Sequence, residues 1–225
     1  LKVAIYIFGL DFLTSTGASE WLIIVASFSI LAASIVALRK TNLKARLAYS
    51  TVSQLGYIVL GAALASPLAA SGAALHIATH AAGKITLFFC AGAIYVAHHL
   101  SDIKDMDGLG RRMPITYGAF ALAALSIIGV PPLGGAWSKF MLMGGALDGQ
   151  HMLVLVVLMV SSLLNLVYLG EIVLRGFFAP AKAGSVADGG YAEAPWACVV
   201  PLCITALISI LLFFSVDFFI LSFTG

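Results

Sequence analysis

The feature that most constrains this chain is a series of apolar stretches, each long enough to cross a membrane. A transmembrane helix needs about 20 predominantly apolar residues to span about 30 Å of hydrocarbon. Such stretches lie along the whole sequence, at 1–13, 21–38, 50–69, 72–97, 114–147, 152–174 and 196–222. Only 10% of the residues are charged and 61% are hydrophobic, far from the composition of a soluble domain. The sequence therefore predicts an all-α, polytopic transmembrane helix bundle.

The fifth stretch is too long for one plain helix and contains "GVPPLGGAW", with Pro131, Pro132, Gly134 and Gly135 near its middle. Prolines remove backbone donors and clash with the preceding helical turn. Irregular backbone at membrane depth is tolerated where protein or water satisfies its polar groups. We therefore predict one discontinuous helix and about seven crossings. The first crossing is short because the sequence starts within an apolar run, which indicates a piece of a longer protein.

Charge in the predicted loops gives the orientation. Of the 12 Lys and Arg residues, nine lie in three alternate loops, 39–49, 99–113 and 175–195. The intervening loops contain none, and cytoplasmic loops of membrane proteins carry the excess of Lys and Arg. We therefore predict a multi-pass protein of the inner (plasma) membrane with these three loops in the cytoplasm. The lipid bilayer is the expected surrounding, and no basic cluster suggests nucleic acid.

Three lysines, Lys2, Lys84 and Lys139, fall inside the apolar stretches and have no loop to occupy. Lys84 lies roughly 18 Å from either end of the predicted helix 72–97, beyond the reach of a side chain that extends to the membrane surface. Placing a cation at this depth costs about 2.5–3.5 kcal/mol on the mildest insertion scale. Three lysines at this depth indicate a functional requirement.

His76, His80 and Lys84 follow one another at intervals of four residues. Each step advances about 40° around a helix, so the three side chains form a ladder on one face. Desolvation favours the neutral form of a lysine, and histidine passes protons through either ring nitrogen near neutral pH. The spacing is therefore typical of a proton wire.

Other interpretations of the ladder are possible. The histidines could be core residues bonded to neighbouring helices, with Lys84 capping a carbonyl. His-x-x-x-His could bind zinc, but Ile77 stands where a metalloprotease needs Glu. "AAGKIT" resembles a phosphate loop, but Ala78 and Ile85 replace the required Gly and Ser/Thr. We therefore predict no metal site and no phosphate site.

Secondary candidates lie on two other stretches. Ser50, Ser53 and Gln54 in "AYSTVSQLGY" either line a water path or hold helices together, and the sequence leaves both open. Glu171 precedes Arg175 by one helical turn, which predicts an i,i+4 salt bridge near the cytoplasmic end of its helix. No haem, flavin, iron–sulfur or quinone motif is visible. The sequence thus predicts no cofactor and no catalytic residue.

Four motifs carry a resemblance: "NLKARLAYSTVSQLGYIVLG", "HIATHAAGKITLFFCAGAI", "GLGRRMP" and "IGVPPLGGAWSKFML". Their order and spacing resemble the antiporter-like subunits of Mrp-type cation/proton antiporters, respiratory complex I and membrane-bound hydrogenases. The resemblance implies a core of two inverted five-helix repeats, each with one broken helix. Residues 1–225 would then form a single membrane domain, the C-terminal half of such a subunit. Within it, 21–174 would be the second five-helix repeat and 196–222 the final helix.

The resemblance also assigns roles to residues. Lys2 matches the central lysine between two half-channels, and His80 and Lys84 match the mid-membrane relay, with His76 one turn before them. Lys139 matches the terminal Lys or Glu of the second half-channel. The first half-channel would lie upstream of Leu1, so this chain alone is not expected to complete a path across the membrane.

The function implied by the resemblance is that of a proton-translocating subunit of a multisubunit cation/proton antiporter, most similar to the Mrp D protein. Protons and sodium would be the ions moved, and other membrane subunits would be the partners. A proton-pumping subunit of complex I (NADH-quinone oxidoreductase) or of a membrane-bound hydrogenase is the alternative. In either case the subunit would have no redox site of its own. A non-translocating membrane scaffold is a third possibility.

Overall fold

The computed structural model describes residues 7, 9, 17–181, 187 and 189–216. A 3-10 helix, Ile103–Asp105, lies between His98 and Leu109. The described residues form eight α-helices: α1 Ala18–Arg39, α2 Leu43–Ala63, α3 Pro67–His98, α4 Leu109–Arg112, α5 Pro114–Ile128, α6 Gly135–Asp148, α7 Met152–Phe178 and α8 Trp196–Phe214.

These helices confirm the all-α transmembrane class. Among the described residues, α1, α3, α7 and α8 are each long and apolar enough to cross a membrane. The shorter helices α5 and α6 follow each other within the predicted fifth crossing, and α2 overlaps the predicted third crossing. The predicted first crossing, 1–13, falls outside the described residues except at positions 7 and 9. Each of the other six predicted crossings thus coincides with a helix or a pair of helices in the part of the chain that the structure describes.

The crossing predicted at 50–69 is wrong in position, because α2 runs from Leu43 to Ala63. The connection from α1 is correspondingly short, not the predicted loop 39–49. Asn42 starts α2 by accepting a hydrogen bond from the Ala45 N–H at 3.1 Å. Arg46, which hydropathy assigns to the loop, lies inside the helix and is only 4% exposed.

Two further boundaries differ from the sequence-based expectation. Helix α3 starts at Pro67 rather than at 72, with the proline at its first turn, where a missing N–H costs nothing. Helix α7 continues to Phe178, so the predicted loop 175–195 begins later than expected. Each of these helices therefore extends a few residues beyond the stretch that was predicted from hydropathy.

The predicted discontinuous helix is confirmed. Helix α5 ends at Ile128 and is followed by Gly129, whose φ of +95° is a conformation that favours glycine, and α6 starts at Gly135. The Gly134 N–H donates to the Ser209 carbonyl of α8 at 3.2 Å. A neighbouring helix thus satisfies part of the broken backbone, as membrane depth requires.

Helix α3 occupies the centre of the bundle and packs against α2, α5, α6 and α8. It is the most buried of the four long apolar helices, and α8 is the least buried. The outer faces of α1 and α7 carry exposed large apolar side chains such as Phe28 and Leu153, which suit contact with lipid. The polar ladder predicted on α3 therefore lies on the most buried of the four long apolar helices.

Candidate functional site

The ladder of α3 faces the interior of the bundle. His76, His80 and Lys84 are all buried, with at most 7% of each residue exposed. The two imidazole rings are stacked, with centroids 5.9 Å apart and planes within 19°. The one-face arrangement expected from the spacing of four residues is therefore present, and this face is directed into the bundle.

Lys84 is held by neutral oxygens of α2. Its Nζ donates to the Ser50 Oγ at 2.6 Å and to the Leu47 carbonyl at 3.4 Å. The ion pairs found between described residues involve Arg46, Arg175, Glu171 and Asp107 and do not include Lys84. Its ammonium group thus has hydrogen-bond partners but no carboxylate among the described residues.

Lys139 is placed by the break between α5 and α6. Its Nζ donates to the Ile128 carbonyl at 3.0 Å, near the end of α5, and to the Ser162 Oγ of α7 at 3.1 Å. It also lies 5.2 Å from the centroid of the Tyr57 ring, within the range of a cation–π interaction. Lys139 is 4% exposed. The carbonyl group at the end of α5 therefore binds a second buried ammonium group.

Tyr57 and Ser138 join the ladder to Lys139. The Tyr57 ring stacks on His76 with centroids 5.4 Å apart, and the His76 Nδ1 lies 2.9 Å from the Ser138 Oγ, next to Lys139 in sequence. The Nε2 atoms of His76 and His80 are buried with no hydrogen-bond partner among the described residues. Both atoms therefore lack the hydrogen-bond partner that a buried polar atom ordinarily has.

A cavity of about 520 Å³ lies against the break. Lys139 and Ser162 contribute its polar atoms, and Trp137, Phe140 and Phe213 line its apolar part. Phe140 is 69% exposed, so the cavity lies at the outer surface of this bundle. Lys139 thus borders both the interior of the bundle and this surface cavity.

The secondary candidates have different surroundings. Ser53 bonds Ser34 at 2.8 Å and Ser161 at 3.4 Å, so it joins α1, α2 and α7. Gln54 is fully buried, yet neither of its amide atoms has a hydrogen-bond partner in the described part of the chain. Ser53 therefore holds helices together. For Gln54, which has no such bonds among the described residues, a water path stays open.

Glu171 forms the predicted i,i+4 salt bridge with Arg175, at 3.2 Å. It also pairs with Arg46 at 2.7 Å, and Arg175 pairs with Asp107 at 2.7 Å. The sequence missed Arg46 because the helix boundary was misplaced. Glu171 therefore belongs to an ion network that ties α2, α7 and the loop before α4 together at one end of the bundle.

Three further polar residues at the site were missed: Tyr57, Ser162 and Tyr168. Tyr57 follows Ser50 by seven residues, so a helical stripe through "YSTVSQLGY" could have placed both on one face. Ser162 and Tyr168 lie beyond the most apolar part of α7, and no pattern in the sequence places them next to α2. Lys2, predicted as the first member of the path, lies outside the described residues. The described residues include no group of three or more His, Cys, Asp or Glu side chains that could hold a metal ion.

Residues 1–165 match the family described as "NADH:quinone oxidoreductase/Mrp antiporter, TM". The chain is 41% identical to NADH-quinone oxidoreductase subunit N of Desulforudis audaxviator (strain MP104C) over 170 residues, which cover 76% of this chain and 33% of that protein. It is 40% identical to subunit L of Mycobacterium tuberculosis (strain ATCC 25618 / H37Rv) over 126 residues, 56% of this chain and 20% of the relative. The chain thus spans about a third of the length of its subunit N relative.

Solved structures share the fold. A chain of the Mrp complex from Dietzia sp. DQ12-45-1b gives a TM-score of 0.81 at 23% identity and covers 91% of this chain and 46% of its own length. A chain of the membrane-bound sulfane sulfur reductase, an archaeal respiratory membrane complex, gives 0.78 at 25% identity, with coverage of 86% and 32%. The family match covers most of the chain, and the fold agrees with it. This chain therefore belongs to the NADH:quinone oxidoreductase/Mrp antiporter family of membrane subunits.

Proposed function

We propose that this chain is the proton-conducting C-terminal half of an antiporter-like membrane subunit. One observation carries the proposal: Lys84 and Lys139 are buried without carboxylate partners among the described residues, and His80, His76 and Tyr57 lie between them. A permanently charged ammonium group at this depth is costly. A group that takes up and releases a proton bears that cost for only part of the time.

The chemistry of each step follows from the neighbours of these residues. Neutral Lys84 accepts a proton and becomes an ammonium ion, which the Ser50 hydroxyl stabilises. The proton then passes to His80 and His76, since an imidazole accepts at one ring nitrogen and releases from the other. Neutral Lys139 receives it on the far side of Tyr57. From there the cavity at the helix break offers an outlet to water or to a partner subunit.

In this proposal the full-length protein is longer than residues 1–225. Residues 21–174 form the second five-helix repeat, 196–222 include the final helix, and Lys2 links the path to a half-channel upstream. The partners are other membrane subunits of a hetero-oligomeric complex, as the multisubunit Mrp and sulfane sulfur reductase structures suggest by their fold. The positively charged connections after α1, α3 and α7 face the cytoplasm.

Two assemblies are candidates. The TM-score of 0.81 to a chain of an Mrp complex supports a protein similar to Mrp D, in a complex that couples proton movement to sodium. The 41% identity to an NADH-quinone oxidoreductase subunit N supports a proton-pumping subunit of such an oxidoreductase. Purification of the complex from its native membrane would separate them. Sodium-driven proton movement without NADH oxidation supports the first assembly, and NADH-driven quinone reduction supports the second.

The relay is tested in the full-length protein, assembled in its complex and reconstituted in vesicles. We expect Lys84→Ala and Lys139→Ala to abolish proton-coupled transport while the subunits still assemble. Lys84→Arg is a sharper variant, because a guanidinium keeps the charge but does not release its proton, and we expect it to be as inactive as the alanine variant. Lys44→Ala, an exposed lysine on α2, is the matched control and should transport normally.

The alternative of a membrane scaffold makes the opposite prediction. If the lysines only hold helices together, Lys84→Arg should retain transport because it retains the charge and the hydrogen bonds. Normal transport by Lys84→Arg and by Lys139→Ala in an intact complex would contradict the relay.

A further inference from the structure

A column of polar side chains fills the seam between α2 and α7, apart from the ladder on α3. On α2 it contains Arg46, Ser50, Gln54 and Tyr57, whose spacing of three or four residues places them on one face. On α7 it contains Tyr168 and Asn165, both fully buried, and Glu171 at the outer end. Helices α2 and α7 run in opposite directions, so the column extends from the end of the bundle with the charged connections toward its middle.

The outer end of the column is open to solvent. The Glu171 side chain is 37% exposed, whereas Arg46, its partner at 2.7 Å, is 5% exposed. The Arg46 Nη1 also donates to the Tyr168 carbonyl at 3.1 Å. Arg46 therefore connects an exposed carboxylate to the helical turn that carries Tyr168.

The next residues inward along the column, Tyr168 and Ser50, connect it directly to Lys84. The Tyr168 hydroxyl lies 2.8 Å from the Ser50 Oγ, and the same Oγ accepts from the Lys84 Nζ at 2.6 Å. The Tyr168 hydroxyl also contacts the Asn165 Oδ1. The Tyr168 hydroxyl has one proton, which it donates either to the Asn165 Oδ1, an acceptor only, or to the Ser50 Oγ. When it donates to Ser50, Tyr168 and Ser50 form a continuous hydrogen-bonded chain that ends on Lys84.

Two buried amides indicate that the seam is hydrated. Both amide atoms of Gln54 and the Nδ2 of Asn165 are buried without hydrogen-bond partners in the described part of the chain. Each unmade hydrogen bond of a buried polar group costs about 1–3 kcal/mol. Water bonded to such groups removes this cost and is a usual component of protein interiors. Gln54 and Asn165 lie about one helical turn further into the bundle than Ser50 and Tyr168, next to the hydroxyl chain.

We propose that the α2–α7 seam is a hydrated entry route for protons from the surface at Glu171 to Lys84. Water reaches past Arg46 to Gln54 and Asn165, and Tyr168 and Ser50 pass protons from this water to Lys84. The inference rests on the proposed relay and names its source of protons. Protonated water in the seam gives its extra proton to the Tyr168 oxygen and becomes neutral water, while the Tyr168 hydroxyl proton moves to Ser50. The Ser50 hydroxyl proton moves in turn to neutral Lys84. Each hydroxyl gains one proton and loses one, and the lysine gains one.

The route changes what this chain can do by itself. From the family resemblance, the C-terminal half is not expected to complete a path without the upstream half-channel. The seam leads to Lys84 from the end of the bundle with the charged connections. The ladder continues from Lys84 to Lys139, away from that end. Lys84 is then a junction supplied from within its own repeat, in addition to any supply through Lys2.

Tyr168→Phe tests the hydroxyl chain, because it removes one oxygen and keeps the ring. In the full-length protein within its complex, we expect proton-coupled transport to fall by about tenfold or more, as for the loss of a group that transfers protons. Tyr117→Phe is the matched control: Tyr117 is also fully buried, but its hydroxyl has no hydrogen-bond partner among the described residues. Normal transport by Tyr168→Phe, with Lys84→Ala inactive, would overturn the entry route and leave the relay standing. Normal transport by Lys84→Ala would instead overturn the relay.

Cysteine accessibility tests the hydration without relying on transport. In a Cys198→Ala, Cys203→Ala background, we expect Gln54→Cys to react with a small, membrane-impermeant thiosulfonate cation added on the side of Glu171. Leu47→Cys is the control, because Leu47 is fully buried among apolar side chains although it lies nearer to the surface on the same helix. If both cysteines were equally protected from the reagent, the hydrated seam would be overturned.

Discussion

The rings of Tyr57 and His76 are stacked, with centroids 5.4 Å apart and planes within 15° of each other. The Tyr57 ring also lies 5.2 Å from the Lys139 ammonium group. One aromatic side chain of α2 thus contacts both the end of the α3 ladder and the lysine of the broken helix. Its hydroxyl lies 3.3 Å from the Leu158 carbonyl and 3.4 Å from the Ser162 Oγ, which fixes the ring in this position.

Replacing this ring should interrupt the relay between its two ends. We expect Tyr57→Leu to reduce proton-coupled transport by about tenfold or more, because it removes the stacking and the cation–π contact that position His76 and Lys139. Tyr57→Phe keeps both ring contacts and should retain most of the activity. The measurement is proton uptake by vesicles that contain the assembled complex. Equal activity of the two variants would show that the ring does not position these groups.

The start of α6 makes the closest backbone approach of the broken helix. A Cβ added at Gly135 would lie 1.8 Å from the Ser126 carbonyl oxygen of α5, and a backbone atom cannot move aside. We expect Gly135→Ala to destabilise the protein by about 3 kcal/mol or more and to lower its unfolding temperature in detergent. Gly118→Ala, with open space around its added Cβ, should be neutral or stabilise by roughly 0.5–1 kcal/mol. Similar unfolding temperatures for the two variants would contradict the packing at the break.

The sequence predicts the break and the ladder because both depend on local patterns. Prolines and glycines between apolar residues end a helix wherever it packs, and a spacing of four residues defines a face. The start of α2 was misplaced because Arg46 counts as a loop residue on any hydropathy scale. Its burial depends on acceptors from distant parts of the chain, such as Glu171 and the Tyr168 carbonyl. The position of Tyr57 between His76 and Lys139 likewise depends on three helices meeting, which periodicity in one segment does not encode.

Arg46 should contribute to stability more than an ordinary charged residue. Its guanidinium donates to the Lys40 and Tyr168 carbonyls and to Glu171. We expect Arg46→Ala to lower the free energy of unfolding by about 2–3 kcal/mol, because buried acceptors lose their donor. Arg39→Ala, which removes an exposed arginine from the last turn of α1, should change it by less than about 0.5 kcal/mol. Denaturation in SDS compares the two, and equal losses would mean that the Arg46 contacts are not formed in the membrane.

Glu193 holds the connection before α8 against the first turn of α5. Its Oε1 accepts from the backbone N–H groups of Ile115 and Thr116 at 2.7 and 3.3 Å, and its Oε2 accepts from the Thr116 hydroxyl at 2.6 Å. A negative charge at a helix N-terminus satisfies free N–H groups and interacts favourably with the helix dipole. Pro114 at the first position of α5 has no N–H, so Glu193 meets the next two donors along the chain.

Removing this carboxylate should therefore loosen the start of the half-helix that leads to the break. We expect Glu193→Ala to destabilise the protein by about 1–2 kcal/mol, the usual effect of losing a helix cap. Glu193→Gln keeps one acceptor oxygen for the two N–H groups but loses the charge, so its effect should be roughly half as large. Thermal unfolding in detergent measures both changes, and hydrogen exchange at Ile115 and Thr116 locates them. Unchanged exchange at these two amides in Glu193→Ala would show that another group caps α5.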